Sequence, residues 1–136
     1  MRLLLSLFAI TLAAAFDEQA PVVVDVGYSE FTRDKPRALL YARAFEAGMA
    51  GALNISSEQV HVHSAEETRT QSTRVRFFLL ETAASDAPLV SLFERCDPYG
   101  GPPVGCLARM DLIVSLRSTG LPVKLAFYAQ EGKEHL

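Results

Sequence analysis

The sequence predicts an α+β fold in which two helices cover one face of a four-stranded antiparallel sheet. Three observations point there. One amphipathic helix is followed closely by two short alternating segments. A further alternating segment opens the chain after its leader, and another closes it. A second apolar helical pattern lies between them. The organising stretch runs from Asp34 to Leu80.

The first alternating segment is Pro21 to Phe31. Val22, Val24, Val26 and Tyr28 share one face, with Val23, Asp25 and Gly27 on the other, so this is a strand. Gly27 marks a bulge or a close backbone approach. The helix follows Asp34, whose carboxylate can accept from the free amides of the first turn. Pro36 falls in that turn, where a missing N–H costs nothing. Ala38, Ala42, Phe45, Met49, Ala52 and Leu53 recur at three- and four-residue steps, and Leu40 and Ala44 widen the stripe. Arg37, Arg43 and Glu46 are assigned to water. Gly48 and Gly51 suggest that the helix lies close to a sheet.

Asn54 ends the helix, since asparagine tolerates the left-handed conformation found there. Ser56 and Gln59 stand at capping-box spacing. Val60 and Val62 then alternate with His61 and His63 in a half-buried strand. Ala65 to Thr73 is polar and reads as the connection to the next strand, where Val75, Phe77 and Leu79 point inward. Further on, Ser85 or Asp86 can cap a short helix carrying Leu89, Val90, Leu92 and Phe93. The stretch between Cys96 and Cys106 is dominated by proline and glycine and forms a loop. Leu107 to Thr119 suits the second helix, through Leu107, Met110, Ile113, Val114 and Leu116. Pro122 to Ala129 is the last strand, with Val123, Leu125 and Phe127 on one face.

The order strand, helix, strand, strand, helix, strand is the split β-α-β arrangement of ferredoxin-like sandwiches. The uncovered sheet face would carry His61, His63, Arg74, Arg76, Phe78, Lys124 and Tyr128, a mixed surface suited to a partner.

The chain has 136 residues. Met1-Arg2 is a short positive head, Leu3 to Ala15 is almost wholly apolar, and Ala13-Ala14-Ala15 supplies small residues. That pattern is a secretory signal peptide, with cleavage expected after Ala15. The run is shorter than the roughly 20 residues a membrane span needs. Residues 16–130 form one domain and 131–136 a polar tail. A net charge of −3 with no basic patch argues against nucleic acid. After signal removal no segment spans a membrane.

The two cysteines, Cys96 and Cys106, are expected to pair in an exported chain. The bond would pin the Pro/Gly loop and contribute about 2–3 kcal/mol by the loop-entropy argument. The alternative is a free or intermolecular thiol. Asn54-Ile55-Ser56 is an N-glycosylation sequon. His61 and His63 point the same way and could share a metal if Glu66, Glu67 or His135 supplied a third ligand; the simpler reading is two solvent-facing strand histidines. No catalytic constellation, metal site or cofactor motif is expected. Lys133-Glu134-His135-Leu136 resembles an endoplasmic-reticulum retrieval tail with His135 in place of the acidic residue, which makes the lumen an alternative to secretion.

Ala-Leu-Asn-Ile-Ser (52–56), Gln-Val-His-Val (59–62) and Ser-Thr-Arg-Val-Arg-Phe (72–77) together resemble a SEA-type domain. The resemblance spans about Val22 to Tyr128 and implies a ferredoxin-like fold and an extracellular role. Some SEA domains cut their own backbone at a strained Gly–Ser bond; here Gln71 stands in place of the glycine, before Ser72. The reading is a small secreted or surface module that binds an extracellular protein or a glycan, with Tyr99 on the pinned loop as an anchor. A cystatin-like protease inhibitor is the rival, although Gln59-Val60-His61-Val62-His63 lacks the spacing and glycine of the Gln-x-Val-x-Gly loop. A histidine–metal enzyme is a further rival.

Overall fold

The computed structural model describes residues 16–80, 89–94 and 106–128. The elements are β1 (Phe16–Glu18), β2 (Val22–Gly27), α1 (Tyr28–Phe31), α2 (Lys35–Leu53), β3 (Val60–Glu67), β4 (Ser72–Leu80), β5 (Phe93–Glu94), β6 (Cys106–Ala108), α3 (Met110–Ser118) and β7 (Ala126–Tyr128). Two 3-10 turns, Ser57–Gln59 and Leu89–Leu92, precede β3 and β5.

The class is α+β, as expected, but the sheet is larger than four strands. Among the described residues, seven antiparallel strands lie in the order β1-β4-β2-β7-β6-β5, with β3 on the other side of β4. Strand length explains the growth. β4 has nine residues and β2 only six, so β2 covers Ser72 to Val75 while β1 pairs with Phe78 to Leu80. Beyond β7, Cys106 and Leu107 pair with Tyr128 and Phe127, and β5 pairs with β6. Leu107 is therefore in a strand, and α3 begins three residues later than the expected helix. Gly27 does sit at a register shift between β2 and β4.

Phe45 and Met49 of α2 and Leu112 and Leu116 of α3 join one core with Val22, Val24, Val75, Phe77 and Leu79. Phe45 meets Phe77 edge to face at 5.2 Å. Each of these rings contributes about 2–3 kcal/mol by leaving water. β2 departs from simple alternation because Val23 is buried as well, between Arg74 and Phe127 on the neighbouring strands. A central strand is flanked on both edges, so its outward residue is shielded by its neighbours' side chains.

The caps of α2 follow the sequence. Asp34 Oδ1 accepts from Arg37 N–H at 2.7 Å. Asn54 ends the helix at φ 60°, ψ 44°. The capping box of Ser56 and Gln59 is complete. The faces differ in part. Glu46 is buried, whereas Leu40 is exposed. Leu40 projects from the first turns of α2. Met110 and Val114 of α3 are likewise exposed.

Gly48 and Gly51 face α3 rather than the sheet. A Cβ on Gly48 would lie 2.7 Å from Leu116 Cα, and one on Gly51 2.9 Å from Ser115 Oγ. The close approach is fastened by hydroxyls. Ser115 Oγ donates to Gly48 O at 2.6 Å and Thr119 Oγ1 to Ala44 O at 2.7 Å.

Two segments are irregular where regular structure was expected. The Leu89–Leu92 turn buries Leu89 and Leu92 and leaves Val90 in water. Before β7, Val123 and Ala126 are both buried and Leu125 is exposed. The alternation slips there because Asp25 ties that segment down: its carboxylate accepts from Lys124 N–H at 2.8 Å, and its own N–H donates to Leu125 O at 3.2 Å. Tyr128 consequently sits on the core side, opposite Val22 and stacked on Phe93 at 5.0 Å, not on the open face. Burial pushes its phenol pKa up. Among the described residues, no helix is long and apolar enough to cross a membrane.

Candidate functional site

The site is the open face of the β3–β4 hairpin, flanked by β1. β4 alternates strictly between buried Thr73, Val75, Phe77, Leu79 and half-buried Arg74, Arg76, Phe78, Leu80. The second set faces away from the helices.

The hairpin is longer than the polar composition of residues 65–73 suggested. β3 continues to Glu67 and β4 starts at Ser72. Charged residues are compatible with an edge strand, since its outward face meets water. The turn is tight: Gln71 N–H donates to Thr68 O at 3.0 Å, and Thr68 N–H to Ser72 O at 3.1 Å. A three-residue hairpin loop of this kind needs a left-handed residue at its end. Gln71 takes that place at φ 66°. Gln71 therefore adopts the backbone region that glycine prefers, and the hairpin accounts for it. The Ser72 hydroxyl is shared with Thr68 and Thr70, at 3.0 and 2.7 Å.

A bulge shapes the centre of the face. Val62 pairs with Phe77 but Ser64 pairs with Arg76, so His63 is the extra residue. An extra residue kinks the strand and re-aims its side chain. Both histidines thereby flank the same ring. Phe78 lies 6.3 Å from His61 and 4.6 Å from His63, centroid to centroid. Each imidazole also meets a carboxylate. His63 Nε2 is 3.1 Å from Glu18 Oε2 on β1. His61 Nδ1 is 4.0 Å from Glu46 Oε2 on α2.

Glu46 is a buried carboxylate with its partners supplied. Oε1 accepts from Arg43 Nη1 at 2.9 Å, and Oε2 accepts from Val62 N–H at 2.9 Å. It thus occupies an outward main-chain donor of the edge strand. Sequence periodicity placed Glu46 in water because it could not see β3 arriving beside that face of α2.

Lower on the face, Glu66 accepts from Arg76 Nε at 2.9 Å and Arg74 Nη1 at 3.3 Å. Burial raises the Glu66 pKa, but the hydrogen bonds and charges of Arg76 and Arg74 outweigh it and hold the carboxyl below its usual range. Glu66 is thus paired with both arginines. Among the described residues, no three histidine, cysteine, aspartate or glutamate side chains are grouped to hold a metal ion. His135 lies outside the described residues.

The other anticipated positions are spread elsewhere. Asn54 is exposed at the end of α2, and Ser56 of its sequon is exposed too. Cys106 is buried and is not a free thiol, while Cys96 and Tyr99 lie outside the described residues. A shallow cleft of about 320 Å3 opens between Arg117, Gly120, Leu121, Pro122, Val123 and Lys124, none of them on the hairpin face.

The hairpin face presents its side chains away from the helices. It offers a half-buried aromatic ring between two imidazoles, with a guanidinium–carboxylate cluster beside it. Sequence reasoning found the two histidines, Phe78 and the arginines. It missed Glu18 and Glu46, for which only the strand register could have given a signal. Compared with known proteins, the chain matches no family, no curated protein and no solved structure.

Proposed function

We propose that this chain is a small secreted or surface interaction module that binds an extracellular protein or a glycan through the open hairpin face. The observation that carries the reading is Phe78 set between His61 and His63 on a sheet face turned away from both long helices. An aromatic ring with polar groups at its edge suits a sugar ring or a partner's side chain. The reading includes removal of residues 1–15, a Cys96–Cys106 bond, a glycan on Asn54, and Tyr99 as an auxiliary anchor.

A ferredoxin-like, SEA-like ancestry is part of the same proposal. It is supported by the order β3-β4-β2-β7 within the larger sheet, and by α2 and α3 sharing one core.

The test uses the secreted chain, fluorescently labelled, on glycan arrays and intact cells. Phe78→Ser and Tyr99→Ala are compared with wild type. Loss of binding in Phe78→Ser with native circular dichroism supports the face. Equal binding by wild type and Phe78→Ser refutes it. Inhibition of papain by the purified chain would favour the cystatin-like reading instead.

A further inference from the structure

The edge of β4 from Phe77 to Leu80 is covered by a short, lightly held strand. β1 makes three pairs, Phe16–Leu80, Asp17–Leu79 and Glu18–Phe78. Phe16 is only half-buried, and Asp17 and Glu18 are exposed. β1 is not a continuation of β2. The register shifts between them, and Pro21, which has no N–H to give, stands at the break. Gln19 N–H donates to Phe77 O at 3.0 Å. Antiparallel alternation then makes Asp17–Leu79 the next hydrogen-bonded pair.

The strand beneath has supports other than β1. Phe77 and Leu79 are fully buried in the core, and β3 holds β4 from its other side. His63, which meets Glu18 at 3.1 Å, is placed by the bulge in β3 and not by β1.

We propose that Phe77–Leu80 is a strand-acceptor edge for an extended segment of another protein, one that carries an apolar residue and, two positions later, a carboxylate. β1 is its resident occupant, Phe16 and Glu18 being the template of what fits. Main-chain pairing would supply affinity, as in other strand additions. The contact of the carboxylate with His63 beside Phe78 would supply selectivity. This goes beyond the face-binding reading, because it concerns an edge, and a peptide titration reads it without any natural ligand.

The experiment compares the full chain with its Asp17→Pro variant, which removes the donor at the central pair of β1 and leaves β4 intact. Each is titrated with an acetylated, amidated Phe-Asp-Glu-Gln-Ala peptide, and with the same peptide carrying lysine for glutamate, following amide shifts by NMR. The expected result is that the variant binds the acidic peptide about tenfold or more tightly than wild type does. Shifts should be confined to Phe77–Leu80 and His63, and the lysine peptide should bind at least about threefold more weakly, in line with loss of one hydrogen bond to the His63 ring. No shift at millimolar peptide in a folded variant, or equal binding of both peptides, overturns the proposal. A wild-type dimer that Asp17→Pro dissolves also overturns it, because a second copy would then supply the strand. Should the variant fail to fold, amide exchange in wild type decides. Leu79 N–H, facing β1, must exchange at least about a hundredfold faster than Val75 N–H, facing β2; equal protection refutes an opening edge.

Discussion

Gly48→Ala is the sharpest test of how the two long helices meet. Alanine is the better helix former, by about 1 kcal/mol, so propensity alone forecasts a gain. The structure forecasts a loss. The new methyl would lie 2.7 Å from Leu116 Cα, 2.8 Å from Leu116 Cδ2 and 2.9 Å from Thr119 Oγ1. A backbone atom is the nearest neighbour, so no rotamer change removes the clash. The helices must move apart by several tenths of an ångström. Overpacking of this kind costs about 1–3 kcal/mol. Separation also stretches the hydroxyl bonds from Ser115 to Gly48 O and from Thr119 to Ala44 O, each contributing about 1 kcal/mol. Net of the propensity gain, a destabilisation of about 1–3 kcal/mol is expected in urea unfolding. Gly51→Ala is the internal control. Its Cβ meets only the end of the Ser115 side chain at 2.9 Å, so the change should fall within about 1 kcal/mol of neutral. A Gly48→Ala protein as stable as wild type, with an unchanged m-value, would refute the tight crossing.

Glu46→Ala should cost about 1–3 kcal/mol, because Val62 N–H loses its acceptor, whereas Glu46→Gln keeps an acceptor and should cost less; paired urea curves separate them. Gln71→Gly should stabilise by about 0.5–1 kcal/mol, since glycine relieves the left-handed conformation but costs entropy in the unfolded chain; a loss of stability would show that the Gln71 side chain contributes something the hairpin geometry does not. The depressed Glu66 carboxyl is stabilised by ionisation in the folded state. Its contribution is present above its ordinary value of 4.5 and is lost as pH falls through the folded value. Glu66→Gln should therefore flatten the acid limb of stability below about pH 4.5, by a modest amount because the side chain is 42% exposed. Thermal melts from pH 6 downward would check this.

Local chemistry was legible in the sequence and long-range register was not. Asp34, Asn54, and the Ser56–Gln59 pair act within four residues of themselves, so their roles could be read directly. The strict alternation of β4 was legible for the same reason. Glu46, by contrast, is defined by Val62, sixteen positions away, and Gly48 by a helix nearly seventy positions on. Glycines in a helix announce a close neighbour without naming it. The added strands were invisible because two or three residues carry too little pattern to read. Of the candidate face, the residues on β3 and β4 were legible and the carboxylates contributed by β1 and α2 were not. The bulge at His63 has no local signature, yet it decides that both histidines meet one ring.

β2 lies between β4 and β7, so an early segment is sandwiched by one about fifty positions on and another about a hundred on: Val22 pairs with both Val75 and Tyr128. Such pairings close long loops late and slow folding. A chain emerging from a ribosome or a translocation pore can form the hairpin and α2 early, but the centre of its sheet stays half-paired until Ala126–Tyr128 is free. Completion of the core therefore waits on Ala126–Tyr128, about a hundred positions after the strand it pairs with.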